Sequence, residues 1–314
     1  MAEANLSRAH LEETFLVGAH LERANLTGVR LEKSYLSEAH LEEAELFRAH
    51  LEGAFLNEVH LEKANLHEVH LEGAALRLAH LEGAVLREAF FDPATNLENV
   101  ILGQEKIGFA LLADIRWGGA NLTVVNWGQT KILGDEYWVR QKRQQGKDQN
   151  TRLTEYEAAV RANRQLAVVL QAQGINEDAA RFAYRAQVLQ KHAFWFQIFQ
   201  PKVTLKQRGR VLGAWFFSWF LELIAGYGYK PGRSFFAYLL VIGTFMALYL
   251  LVDPHLAWYE AIVVSMTAFH GRGFSPSTFS PGDPLSIVSA IEAFVGLIIE
   301  VTFIATLTRR FFRQ

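Results

Sequence analysis

From Ala4 to about residue 129 the sequence repeats every five residues, and that period constrains the fold more than any other feature of the chain. Leucine holds the centre of the unit at Leu6, Leu11, Leu16 and Leu21 and at every fifth position to Leu86, followed by Phe91. A small residue such as Ala4, Ala9, Thr14, Ala19 or Val29 stands two positions before the centre. One residue is inserted around positions 92–94. The register is then expected to resume at Leu97, Leu102, Ile107, Leu112, Trp117, Leu122 and Trp127. A period of five fits neither the 3.6-residue repeat of a helix nor the 2-residue repeat of a strand. It fits a chain that turns a corner at every unit and sends one large and one small side chain into a narrow core.

The units Ala4-Asn5-Leu6, Ala24-Asn25-Leu26, Ala64-Asn65-Leu66 and Ala120-Asn121-Leu122 resemble the pentapeptide-repeat family. That resemblance implies a right-handed quadrilateral β-helix, a solenoid with four units or twenty residues per coil. Stacked at that interval, His10, Arg30, His50 and His70 share one face and His20, His40, His60 and His80 the opposite one. Each precedes a central Leu that is followed by an outward Glu. A third face carries Asn5, Asn25, Glu45 and Asn65. The fourth carries Phe15, Tyr35 and Phe55, an exposed aromatic line that reads as an assembly surface for another subunit or domain. The plain reading of the His/Glu ladders is a solvated surface, and a sharper one is a proton sensor, since stacked imidazoles titrate near neutrality. Zinc binding is a weaker third reading, because ladder spacing does not offer tetrahedral ligands, and no metal site is assigned.

The net charge of −2 gives no basic face for nucleic acid, and the absence of Cys removes disulfides and thiolate chemistry. No signal peptide is evident at the start of the sequence. No nucleophile–base pair, phosphate loop or metal-ligand spacing points to an enzyme, and no cofactor is expected. Residues 136–148 are polar and read as a linker or an exposed helix end. Residues 154–171 have helical spacing, Gly174 ends that helix, and Asn176 is placed to cap a second one reaching about His192. The basic and aromatic stretch with Lys202, Lys206, Arg208, Arg210, Trp215 and Trp219 suits a helix at the bilayer interface.

Residues 234–252 carry no charge, and residues 285–308 are interrupted only by Glu292 and Glu300; both stretches are long enough to span a bilayer. Lys230 and Arg233 precede the first, and Arg309, Arg310 and Arg313 follow the second, which places both termini in the cytoplasm of a cell (inner) membrane protein. Between them lies a short apolar stretch, 256–269, and then a run rich in Gly and Pro. Non-helical backbone at membrane depth is tolerated where it lines a pore or is buried in protein.

Gly226-Tyr-Gly, Ser265-Met-Thr267-Ala-Phe269 and Gly296 resemble the two-transmembrane, potassium-channel-like ion-channel family over residues 226–313. The resemblance implies a re-entrant pore helix, a homotetramer, permeant monovalent ions and a selectivity filter at Thr267, His270, Gly271, Arg272, Gly273 and Phe274. The potassium-channel Thr-Val-Gly-Tyr-Gly is replaced by His270-Gly271-Arg272-Gly273-Phe274. Arg272 either faces the pore and favours anions, or braces the loop against Glu260, Asp283 or Glu292. Intramembrane acids are functional by default. Glu300 is assigned to a cation-attracting ring, Glu292 to a position nearer the filter, and Gly296 to a hinge.

The expected layout is a β-solenoid over 1–130, a linker and α-helical hairpin over 131–200, an interfacial helix over 201–230, and a two-transmembrane pore domain over 231–314. The expected function is the pore-forming subunit of a cation channel with a cytosolic domain for assembly or gating. The alternatives are an anion or non-selective channel set by Arg272, and a membrane-anchored scaffold.

Overall fold

The computed structural model describes residues 2–141, 148–200, 203–229, 231–271 and 284–311. The chain divides into two compact units, Met1–Leu212 and Gly213–Gln314.

The first unit begins as the expected solenoid. Parallel bridges join residues twenty apart: Asn5 to Asn25, His10 to Arg30, Phe15 to Tyr35 and His20 to His40, continuing coil after coil. The twenty-residue coil of the sequence reading is therefore observed, with its four faces as assigned. Each corner is a tight turn. The Ala9 N–H donates to the Leu6 carbonyl at 3.1 Å, and the residue between at the third position, Arg8, has φ +57°. The same left-handed position recurs in Glu13, Arg23, Lys33, Glu38 and Glu43, where a side chain costs about 1–2 kcal/mol. The N–H of each such residue donates to the next coil, as from Arg8 to the Thr27 carbonyl at 2.9 Å, which offsets that cost.

Inside, the central Leu and the small residue two before it are sealed off. Leu21, Ala24, Leu26, Val29 and Leu31 are all fully buried, and the pattern runs on to Leu86 and Ala89. Burying one such Leu contributes about 1.5–3 kcal/mol, so the column of leucines holds the coils together.

The register differs from expectation at one place. Ala75 bridges Asn96 and His80 bridges Ile101, as a one-residue insertion requires, but Val85 bridges Leu111 and Phe90 bridges Arg116. An entire unit is looped out as an antiparallel hairpin, β1 (Gly103–Gln104) with β2 (Gly108–Phe109). Ile107, expected as a core centre, lies in this excursion and is half-buried.

Helices α1 (Gly134–Arg140), α2 (Gln149–Ala172) and α3 (Asn176–Ile198) follow. The polar stretch expected as a linker or an exposed helix end starts at Glu136, which is buried in α1 beside buried Asp135. Asp135 accepts from Arg87 at 2.9 Å and from the Leu112 N–H at 2.7 Å, and Glu136 accepts from Arg185 at 2.8 Å. Burial pushes the Asp135 carboxyl up, and the Arg87 guanidinium opposes that. Asp135 thus ties α1 to the solenoid, and Glu136 ties α1 to α3. The α2–α3 hairpin is as expected, with Gly174 at φ +80° between the helices. The residue before α3 is Ile175, with no side-chain cap, and Asn176 is already helical. Phe182 meets Trp127 edge-on at 5.9 Å, and Arg161 grips Asp114 through both carboxylate oxygens, so the hairpin packs on the last coil.

Helix α4 (Leu205–Ala225) contains the division between the units. The second unit holds α5 (Pro231–Val252), α6 (Trp258–Phe269) and α7 (Pro284–Phe311), which pack on one another. Segments Gly232–Val252 and Pro284–Ala305 are long and apolar enough to cross a membrane. Gly226, Tyr227 and Gly228 all take positive φ, and the Tyr227 hydroxyl hydrogen-bonds Ser218 at 2.8 Å.

Candidate functional site

The candidate site lies where α6 meets α5 and α7. Polar groups inside an apolar helix bundle must find partners, and Glu292 finds two. Its Oε1 accepts from the Ser265 hydroxyl on α6 at 2.5 Å, and its Oε2 accepts from the Tyr249 hydroxyl on α5 at 2.8 Å. All three side chains are fully buried. Glu292 therefore ties three helices together and faces the bundle interior. That placement is one of an acid bonding its neighbouring helices.

About one turn further along α7, Gly296 lies under the C-terminal end of α6. A Cβ at this position would collide with the Phe269 carbonyl oxygen. Glycine here lets the two backbones touch, a packing reason for a residue expected as a hinge. Phe269 is buried, edge-on to Tyr238 at 4.8 Å, beside Ile224 and Ile299.

Glu300 sits on the next exposed turn. Its Oε1 is 3.4 Å from His270 Nε2, just beyond the C-terminal end of α6. The His270 Nδ1 lies 2.7 Å from the Met266 carbonyl, which fixes the ring and leaves Nε2 for the carboxylate. Glu300 and His270 line a cavity of about 520 Å³ with Ser234, Phe235, Tyr238 and Phe303. A carboxylate beside aromatic rings in an apolar hollow suits a cation.

Of the sequence-assigned filter residues, Thr267 is exposed on the last turn of α6, where its hydroxyl donates to the Val263 and Val264 carbonyls. Gly271 takes φ +66° and its N–H donates to the Ala268 carbonyl at 2.9 Å, so the chain leaves the helix at this point. Arg272, Gly273 and Phe274 lie outside the described residues, as does Asp283. Glu260, a suggested partner of Arg272, instead accepts from the Ala257 N–H at 3.0 Å at the start of α6. The sequence reading missed Tyr249 and Ser265 as partners of Glu292. A hydroxyl on each neighbouring apolar helix was the available signal.

On the solenoid, Phe15 and Tyr35 stack at 4.5 Å and Tyr35 and Phe55 at 4.8 Å, near parallel. Phe15 is 79% exposed, Tyr35 36% and Phe55 40%, so the aromatic line faces outward as assigned.

Residues 4–43, 44–83 and 64–104 match the family model "Pentapeptide repeats". Solved structures similar to the chain include a pentapeptide repeat protein of the Arabidopsis thaliana thylakoid lumen, at 27% identity over 29% of this chain and 63% of that one, with a TM-score of 0.28. A second is Rfr23 from the cyanobacterium Cyanothece 51142, at 32% identity over 32% of this chain and 64% of that one, TM-score 0.20. A third is HetL from Nostoc sp. strain PCC 7120, at 26% identity over 43% of this chain and 79% of that one, TM-score 0.16. The chain spans less than two thirds of the length of the first two. A comparison with curated proteins finds no match. The N-terminal solenoid is thus a pentapeptide-repeat domain, on its matched residues and its twenty-residue coil.

Proposed function

We propose that the chain is the pore-forming subunit of a membrane ion channel, a homotetramer of the two-transmembrane, potassium-channel-like plan that conducts monovalent cations. The observation that carries this reading is α6, a short helix between two span-length helices, fastened over its C-terminal half. Ser265 is tied to Glu292, and the Phe269 carbonyl rests on Gly296. A plain membrane anchor has no use for a third helix held so firmly. In a tetramer, α6 would be the pore helix, and its negative C-terminal end would favour cations near Thr267 and His270. Glu300 would add a ring of carboxylates. The exposed Phe216, Phe217 and Trp219 of α4 suit the headgroup layer. The solenoid would lie in the cytoplasm and assemble through Phe15, Tyr35 and Phe55.

The test is ion flux from proteoliposomes loaded with KCl, containing the full chain or its Gly296→Leu variant. Efflux with the wild type alone supports a channel, and no efflux from either favours a scaffold.

A further inference from the structure

Two faces of the solenoid carry a feature that the channel reading does not use. His20, His40, His60 and His80 stack with ring centroids 4.8–4.9 Å apart, and His50 stacks on His70 at 4.9 Å. The Nδ1 of each faces a carboxylate oxygen of its own turn. Glu52 Oε1 is 3.0 Å from His50 Nδ1 and 3.9 Å from His70 Nδ1, so it stands between two successive coils. Glu62 Oε1 bears the same relation to His60 at 3.3 Å and His80 at 3.9 Å. In the sets His40–Glu42–His60, His50–Glu52–His70 and His60–Glu62–His80 the three ligand atoms all lie within 4.8 Å of one another.

We propose that these ladders bind divalent transition-metal ions such as Zn²⁺, one ion on each face, with two imidazole nitrogens and a carboxylate as protein ligands. In a tetrahedral zinc site with bonds of about 2.0–2.1 Å, neighbouring ligand atoms are about 3.4 Å apart. The N–O separations are already close to that. The two nitrogens must draw together, and each ring must turn out of its stack to aim at a common ion. These imidazole side chains are about a third exposed and free to do so. The second oxygens of Glu42, Glu52 and Glu62, like those of Glu22, Glu32, Glu72 and Glu82, are buried without a hydrogen-bond partner among the described residues, so the ladders as a whole hold carboxylates that a nearby cation stabilises. The Nδ1 proton moves to Nε2 or to solvent as the metal enters.

The limits of each site follow from its neighbours. On one face Arg30 occupies a His position and pairs with Glu12 and Glu32, while Phe90 stacks on His70 at 4.3 Å, which confines the site to His50, Glu52 and His70. On the other, His60 belongs to both sets, so its single Nδ1 admits one ion at a time. The stoichiometry is therefore two per chain. The ladder spacing that argued against zinc at first sight holds for rigid stacked rings, and the carboxylate between coils supplies the ligand that the imidazoles alone lack.

The test is a Zn²⁺ titration of the EDTA-stripped full chain in detergent at pH 7.5, against a chromophoric chelator, with His70→Gln, His60→Gln and the double variant. Circular dichroism checks that each variant keeps its fold. The expected result is two equivalents for wild type, one for each single variant and none for the double, with affinity falling at least tenfold at pH 5.5. Any other wild-type stoichiometry, or equivalents that survive the double substitution, overturns the proposal and marks the binding as adventitious.

Discussion

The phenol of Tyr249 on α5 donates a 2.8 Å hydrogen bond to the carboxylate of Glu292 on α7, with both side chains fully buried. Ser265 on α6 occupies the other oxygen, so one acid satisfies itself by joining all three helices. Tyr249→Phe strands Glu292 Oε2 and should lower stability by about 1–3 kcal/mol. Thermal melts in detergent measure this. A double-mutant cycle with Ser265→Ala should show non-additivity, since both hydroxyls serve one carboxylate. A neutral Tyr249→Phe contradicts the brace.

Gly296 and Gly243 offer a contrast on two apolar helices. A Cβ at Gly296 collides with the Phe269 carbonyl oxygen, whereas at Gly243 nothing lies within 4 Å. Gly296→Ala is expected to push α6 from α7, lower the melting temperature and abolish conduction. Gly243→Ala should leave the melting temperature within a few degrees of wild type. Equal effects of the two would show that the α6–α7 approach is not the reason for Gly296.

The ladders also set the pH dependence of the solenoid in metal-free buffer. The hydrogen bond that His40 donates to the Glu42 carboxylate raises His40 above its ordinary value of 6.5. Its contribution is complete below that value and disappears as pH rises through the folded-state pKa. For Glu12 a backbone hydrogen bond, and for Glu22 the bond from His20, lowers the carboxyl below 4.5. Their contributions are present above 4.5 and vanish as pH falls through the lowered values. The solenoid should therefore melt highest between about pH 4.5 and 6.5 and lower at pH 8. His40→Gln should flatten the alkaline side of the curve, and an unchanged slope contradicts the assignment.

The aromatic line makes a different kind of prediction. Substituting Tyr35→Glu and Phe55→Glu leaves the core untouched and should cost about 0.5–1.5 kcal/mol for each stacked ring pair lost. If the line is an assembly surface, the double variant should lose mass relative to wild type in light scattering. An unchanged mass assigns assembly elsewhere.

Much of this was legible in the sequence, and what was not has physical reasons. The period showed a chain that turns a corner at every unit, and the coil of twenty residues followed from the resemblance carried by units such as Ala4-Asn5-Leu6. The β1–β2 excursion stayed hidden because Ile107 keeps the period even where the chain leaves the coil. Glu136 looked like part of a linker or an exposed helix end, and Asp135 beside it drew no notice, since their partners Arg185 and Arg87 are remote in sequence. Glu292 was visible as an intramembrane acid, but its hydroxyl partners depend on how three apolar helices face one another. Gly296 looked like a hinge because a sequence does not show the carbonyl that lies against it.

The central claim is conduction, and the most direct test is the reversal potential of the purified chain in planar bilayers under KCl and NaCl gradients. Wild type should show a cation-directed potential. Glu300→Gln, which removes the charge facing His270 and the cavity, should shift it toward zero. An anion-directed potential, or no current at any gradient, contradicts the cation-channel account.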